Sequence, residues 1–195
     1  MENISEKKKA IFESTLALIK EYGFHGTPMS QIAKKAGVAA GTIYHHFDSK
    51  DTLIMELYTY IRDKMLTAML KDDDENMDFQ ERFFNFWISH CLFYIENPNA
   101  LFFMEQFVNS PYSSRDPLSE NERFQVTFRD LIKKGVESGV LKPLNHLILS
   151  SIIHGSVVNA AKIHLCRRIN IGELELKQIA QIIWDGMSNP AAPAD

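Results

Sequence analysis

The spacing of apolar residues along this chain is that of α-helices almost throughout. Over residues 6–22, apolar positions recur at intervals of three or four and therefore share one helical face. These positions are Ile11, Thr15, Leu18, Ile19 and Tyr22. No stretch of useful length alternates between apolar and polar residues as a half-buried strand would. The pattern predicts an all-α fold of about nine helices.

Glycine and capping residues divide the first part of the chain into three short helices. Gly23 ends the first helix. Thr27 followed by Pro28 predicts the start of the second helix, with the Thr27 side chain as its N-cap. This second helix ends at Gly37, and a third is predicted over residues 40–46.

Six further helices are predicted after the third. The fourth covers 49–70, with Asp48 or Ser49 as its cap, and the acidic run at 72–75 then forms a solvated loop. The remaining helices are predicted over 79–95, over 100–109, from a capping box at 119–122 to Gly139, over 144–165 and over 173–187.

Residues 27–53 contain the arrangement that says most about function. Two short helices flank a tight turn at 37–39, and Ala33 is small where their backbones approach each other. Val38, Ile43 and Phe47 provide an apolar core. The second of the two helices exposes Thr42, Tyr44, His45 and His46. Such a helix fits the major groove of DNA, with its early residues toward the base edges.

The run IAKKAGVAAGTIYHHFDSKDTL, residues 32–53, resembles the DNA-binding signature of the TetR (tetracycline repressor) family. The resemblance covers about residues 8–55. It implies a three-helix helix-turn-helix domain over 1–48 and a helical dimerisation and ligand-sensing domain over 49–195, connected by the helix 49–70. The implied function is that of a ligand-responsive regulator, a repressor that binds a palindromic double-stranded DNA operator as a homodimer and is released by a small apolar or aromatic effector.

The resemblance also implies roles for individual residues. By position it assigns phosphate contacts to Thr27, Ser30, Tyr44, His46 and Lys50, and base-edge contacts to Ala40, Gly41 and Thr42. His45 is a further DNA-binding candidate because it is exposed on the same helix. One position departs from the family pattern, since Ala39 stands where a Ser or Thr usually caps the recognition helix. Loss of such a cap costs about 1 kcal/mol.

Aromatic residues are concentrated in the second part of the chain, where ten of the thirteen phenylalanines lie between residues 79 and 128. A few polar residues interrupt these apolar faces, and ligand pockets commonly combine an apolar lining with a few polar groups. The candidate ligand-binding residues are Trp87, His90, Phe103, Gln106, Phe107, Phe128 and His154. For each of them, simple packing in the core is the alternative.

The last two predicted helices carry apolar faces broader than one small domain can cover. The candidate dimer residues are Ile148, Ile152, Gly155, Asn159, Leu176, Ile179, Ile183 and Met187. In the TetR family the corresponding helices form a four-helix bundle across the two-fold axis, and the resemblance implies the same here.

Charge and cysteine content refine this interpretation. The net charge of −4 is distributed as +2 over residues 1–50 and −6 over residues 51–195, so a modestly basic head precedes an acidic body. Two cysteines suit a reducing cytoplasm, and neither a targeting segment nor a membrane span is expected. We expect a cytoplasmic protein without metal or cofactor.

Two other classes of function are open at this point. The helical body could bind a protein partner instead of a small ligand. An enzyme is the weaker alternative, because the chain has neither a glycine-rich phosphate loop nor a His-Glu-x-x-His motif. Cys91 follows His90, and Cys166 lies close to His164, but the sequence shows no positioned catalytic partner for either thiol. No catalytic residue is therefore predicted.

Overall fold

The computed structural model describes residues 4–115 and 123–190, and these residues form nine α-helices, one 3-10 turn and no strand. The helices are α1 (Glu6–Tyr22), α2 (Met29–Lys35), α3 (Ala40–His46), α4 (Lys50–Met69), α5 (Phe79–Glu96), α6 (Pro98–Val108), α7 (Arg123–Glu137), α8 (His146–Leu165) and α9 (Glu173–Met187). The predicted all-α class and helix number are confirmed. None of these helices is long and apolar enough to cross a membrane.

Some helix starts differ from the predictions. Helix α6 begins at Pro98, two residues earlier than predicted, because proline suits the first turn; Asn97 occupies the N-cap position without a side-chain capping hydrogen bond. Helix α8 begins at His146, since the Asn145 side chain accepts a hydrogen bond from the Leu147 amide. The capping box predicted at 119–122 lies outside the described residues.

The first of two compact units contains α1, α2, α3, the beginning of α4, and α6. Its core is aromatic as well as aliphatic: the Phe12 ring lies 5.5 Å from that of Phe47 and 4.9 Å from that of Tyr60, centre to centre. Tyr58 stacks on Phe107 of α6 at 4.1 Å. The compact units do not follow the predicted boundary between residues 48 and 49, which separates a DNA-binding domain from a dimerisation and ligand-sensing domain. That functional boundary stays a prediction.

The second compact unit contains the end of α4 together with α5, α7, α8 and α9. Trp87 of α5 is buried, and its indole N–H donates to Ser156 Oγ at 2.8 Å. Phe86 stacks on Phe128 of α7 at 5.2 Å between ring centres. Aromatic side chains on α5 therefore hold the other helices of this unit to it.

The acidic run before α5 has a partly structural use. Asp73 accepts two hydrogen bonds from the Arg82 guanidinium, at 2.8 and 2.9 Å. Asp74 accepts from the backbone and side chain of Asn76, and these hydrogen bonds lower the pKa of its carboxyl group. Two of the four acids thus organise the turn, whereas Asp72 and Glu75 are exposed as expected of a solvated loop.

The predicted dimer residues fall into two groups. Ile148 and Ile152 on α8 are 53% and 46% exposed, as a partner-facing position requires. Leu176 and Met187 on α9 are buried within the chain, so their assignment to a dimer interface is wrong. They follow the same helical spacing as interface positions, but α9 packs on α5 within the chain through this face. Gly155, Ile179 and Ile183 are partly exposed and Asn159 is exposed.

Gly135 on α7 lies close to side chains of other segments in the second unit. A Cβ at this position would lie 2.5 Å from Phe79 Cζ and 2.7 Å from Leu141 Cδ1. Leu141 is itself buried and pairs with Ser188 across an isolated antiparallel bridge. The glycine therefore lets the end of α7 approach both side chains.

We expect Gly135→Ala to lower the free energy of unfolding by about 1–2 kcal/mol. The added methyl group overpacks the contact with Phe79 and Leu141, which outweighs the gain in helix propensity. Chemical denaturation measures the effect.

Gly186→Ala is the matched control, because a Cβ there would meet no neighbouring atom within 4 Å. This variant should be neutral or more stable by up to about 1 kcal/mol. Equal stability of the two variants would contradict the packing role of Gly135.

Candidate nucleic-acid interface

A tight glycine turn sets α3 against α2. Gly37 adopts a φ of 68°, in the left-handed region that favours glycine. The Gly37 amide donates to Lys34 O at 3.3 Å and the Val38 amide to Ala33 O at 3.0 Å, which closes the end of α2. Ala33 is buried, so the small side chain lies where the elements of the motif approach one another. Val38 is only half-buried and contributes less to the core than predicted.

Helix α3 is fixed to the unit by its inner face. Ile43 is fully buried and Phe47, directly after the helix, is 1% exposed. Ala39 occupies the N-cap position with an alanine side chain that accepts nothing, as the sequence indicated, and only its carbonyl accepts, from the Thr42 amide at 2.9 Å. Packing, rather than capping, therefore holds this helix in place.

The outer face of α3 is open to solvent. Tyr44 is 55% exposed, and Ala40, Gly41 and His45 are exposed as well. Thr42 and His46 are half-buried. Among the described residues, no atom outside its own helix and chain neighbours would come within 4 Å of a Cβ at Gly41. Four of the six contact residues predicted on α3 are therefore exposed, and the other two are half-buried.

Thr27 does not fit its predicted roles. Its side chain is completely buried and its hydroxyl donates to Gly23 O at 2.8 Å. The N-cap of α2 is Pro28, one residue later, with no side-chain hydrogen bond. The Thr27 hydroxyl is used inside the unit because the α1–α2 turn brings the Gly23 carbonyl to it, so we remove Thr27 from the predicted DNA contacts. Ser30, in the first turn of α2, is exposed.

Lys50 lies at the start of α4, where it was predicted, but its side chain is turned into the unit. The ammonium group is half-buried and donates to Phe24 O. Burial lowers the pKa of the ammonium group, and the neighbouring Asp51 carboxylate opposes this effect in part. Contact with a DNA phosphate stays a prediction for this residue, and it requires the side chain to leave Phe24.

The Lys50 side chain also lines a cleft of about 630 Å³ within the first unit. Its walls are the turn 22–25 after α1, Lys50 and Asp51, and Gln106 with residues 109–112 after α6. We refer to it as the α1–α6 cleft. Helical spacing predicts that Tyr22 lies on the buried face of α1, but this side chain is 53% exposed and lines the cleft, so the sequence pattern gives no signal for it.

The predicted ligand-binding residues are divided between the two units. Trp87, His90, Phe128 and His154 belong to the second unit, and Phe103, Gln106 and Phe107 belong to the first. His90 is buried with its ring 5.7 Å from that of His154. Of the seven, Gln106 lines the α1–α6 cleft, and its side-chain amide donates to Ile19 O at 3.3 Å. A ligand role for these residues stays a prediction.

The two thiols differ in environment. Cys91 is completely buried, and burial raises its pKa to about 12. A thiol with that pKa is a poor nucleophile at neutral pH. Cys166 is exposed at the end of α8.

Known proteins share both parts of this architecture. The family model for bacterial regulatory proteins of the tetR family matches residues 11–57, and a tetracyclin repressor-like C-terminal domain model matches residues 78–188. The chain belongs to the TetR family. It is a DNA-binding transcription regulator and not an enzyme.

Relatives of this TetR-family protein agree with the family models. An uncharacterised HTH-type transcriptional regulator of Haemophilus influenzae is 34% identical over 101 residues, which cover 52% of this chain and 54% of that protein. The regulator RutR of Escherichia coli is 28% identical over 149 residues, 74% of this chain and 70% of RutR. A TetR-family regulator from Marinobacter aquaeolei shares the fold, with a TM-score of 0.87 at 21% identity over 94% of this chain and 96% of that one.

We expect Thr27→Val to lower the free energy of unfolding by about 1–3 kcal/mol, because the Gly23 carbonyl loses its buried donor. Thr27→Ser, which keeps the hydroxyl group, should lose less. The affinity of the folded protein for DNA should be the same for both variants as for the wild type, because the buried hydroxyl group makes no phosphate contact. Weaker binding to all DNA sequences by folded Thr27→Val, with Thr27→Ser unchanged, would instead restore the phosphate contact.

Proposed function

We propose that this regulator is a dimeric repressor, that its two α3 helices bind the half-sites of a palindromic operator, and that a small ligand releases it. The observation that carries the proposal is the division of α3 into two faces. Ile43 is fully buried whereas Tyr44, the next residue, is 55% exposed. A helix held from one side and bare on the other can enter a major groove without rearrangement of its own core.

The surroundings of α3 support contact with DNA. Lys34 and Lys35 are exposed at the end of α2, and Ser30 is exposed at its beginning. These side chains can approach phosphates, whereas we assign Ala40, Gly41 and Thr42, at the start of α3, to base edges. The open space at Gly41 allows the backbone of the helix to come close to the base pairs.

The shortness of the DNA-binding helix α3 favours a dimer. Helix α3 has seven residues and can read only a few base pairs, so specific binding requires two half-sites. On α8, Leu147, Ile148 and Ile152 are exposed apolar side chains on a continuous surface. Covering this surface with a second copy removes it from water and supplies the second α3.

Release by a ligand requires that the ligand bind one conformation of the regulator more tightly than the other. A ligand that binds both conformations equally shifts nothing, so the effector has to favour the one in which the α3 helices do not match the operator. A coupling of about 1–3 kcal/mol weakens operator binding roughly 5–150-fold. Helix α4 is the natural connection, because it begins with Lys50 and continues into the second unit.

Selection of DNA from a random pool by the purified protein tests the proposal. The recovered sequences should contain inverted half-sites whose centres lie about 34–36 Å apart, or a multiple of one helical turn. Recovery of single half-sites bound by one chain would contradict it.

Thr42→Ala and Lys50→Ala should separate sequence reading from phosphate contact. We expect Thr42→Ala to change the preferred bases in the same selection. Lys50→Ala should weaken binding to all sequences and reduce the salt slope by about 1. A change in base preference for Lys50→Ala, with the salt slope intact, would show that the roles are assigned wrongly.

Ile152→Asp should convert the dimer to a monomer, because it places a charge in the centre of the apolar α8 surface. Sedimentation velocity measures the change, and affinity for a two-half-site operator should fall with it. Ile169→Asp is the matched control, since Ile169 is 56% exposed in the turn after α8 and lies outside the predicted interface. Dimers of unchanged stability in Ile152→Asp would locate the interface elsewhere.

A further inference from the structure

The α1–α6 cleft combines aromatic rings with a positive charge. The Phe24 and Tyr112 rings line it and lie 5.2 Å apart, centre to centre. Phe24 is fixed from behind by Phe103 of α6, at 5.7 Å. At about 630 Å³ the cleft falls within the usual size range of small-molecule sites, roughly 300–1,000 Å³.

Lys50, which also lines the cleft, supplies the charge. Its ammonium group donates to Phe24 O, and an ammonium carries three donors, so this hydrogen bond does not exhaust it. Burial lowers the pKa of the ammonium group, although the Asp51 carboxylate acts in the opposite direction. A negatively charged ligand beside this half-buried group would favour its charged form.

Other polar side chains also line the cleft. The Asp51 carboxylate accepts a hydrogen bond from the Tyr112 hydroxyl at 3.1 Å, so it has a donor of its own besides the nearby Lys50 charge. His25 and Asn109 are exposed at the rim, where both can donate to a ligand.

We propose that the α1–α6 cleft is a binding site for a small aromatic carboxylate, with its ring against Phe24 and Tyr112 and its carboxylate on Lys50. Offset or edge-to-face ring contacts and one charge-assisted hydrogen bond provide the recognition.

Together with the proposed function, on which this inference rests, the site gives Lys50 two competing partners, the carboxylate of the ligand and a phosphate of the operator. A carboxylate in the cleft holds the ammonium group inside the unit. An operator phosphate requires the same group to turn outward. Ligand and operator therefore weaken each other's binding by the same factor.

Calorimetric titration with 2-naphthoate tests the site directly. We expect a dissociation constant below about 1 mM. The uncharged 2-naphthamide should bind about tenfold or more weakly, because it lacks the charge that pairs with Lys50. The saturated decahydro-2-naphthoate should bind roughly 2–10-fold more weakly, since it loses the ring contacts.

Two pairs of variants locate the binding. Lys50→Gln should weaken 2-naphthoate binding about tenfold or more, whereas Lys20→Gln should not. Lys20 is a matched control because it carries the same charge and lies over the Phe102 ring, outside the cleft. Asn109→Trp should block the cleft, and Val108→Trp, at the neighbouring exposed position outside it, should not. Thermal melts show whether each variant is folded.

The outcomes distinguish the two proposals. Absence of 2-naphthoate binding at about 1 mM, or equal effects within each variant pair, would overturn the cleft site. Binding that is lost in Lys50→Gln and Asn109→Trp, with weaker operator binding at saturation, supports both the site and the competition. Binding at the cleft with unchanged operator affinity would overturn the competition. Failure of the wild type to bind any DNA would overturn the proposed function. The calorimetric titration would still test whether the cleft binds 2-naphthoate, because it is done without DNA.

Discussion

The contact of Phe12 with Phe47 fixes where the recognition helix lies. Phe47 directly follows α3, and its ring is 5.5 Å from that of Phe12 on α1. The Lys8 ammonium lies 5.4 Å from the Phe47 ring centre and 2.6 Å from Glu56 Oε2, which ties α1 to α4 at the same point. Burial of a phenylalanine contributes about 1.5–3 kcal/mol. Because α3 has no side-chain cap, this packing determines its orientation.

The features that the sequence predicted well depend on neighbours in the chain. The period of apolar residues and the glycine at position 37 are local signals, and the helices and the turn follow them. The residue pattern also indicated the exposed face of α3, and the resemblance at residues 32–53 added roles for individual residues on that face. Helix starts were less accurate: α6 begins at a proline that the spacing of apolar residues does not mark, and the Asn145 side chain sets the start of α8.

The predictions that failed depend on distant packing. Leu176 and Met187 have the spacing of an interface, but both are buried within the chain, on a helix that packs against α5. Thr27 has the residue type of a cap, yet the Gly23 carbonyl lies close enough to take its hydroxyl. The direction of the Lys50 side chain likewise depends on the turn after α1 and on α6, which sequence spacing does not bring together.

The bare face of α3 has a consequence for how such regulators diversify. Positions 40, 41, 44 and 45 are exposed, so substitutions there leave the Ile43 and Phe47 core untouched. A duplicated gene could therefore drift toward a new DNA target through changes that cost little folding free energy. The residues that can change DNA recognition and the residue that holds α3 to the core lie on different faces of the same short helix, so the two functions can change independently.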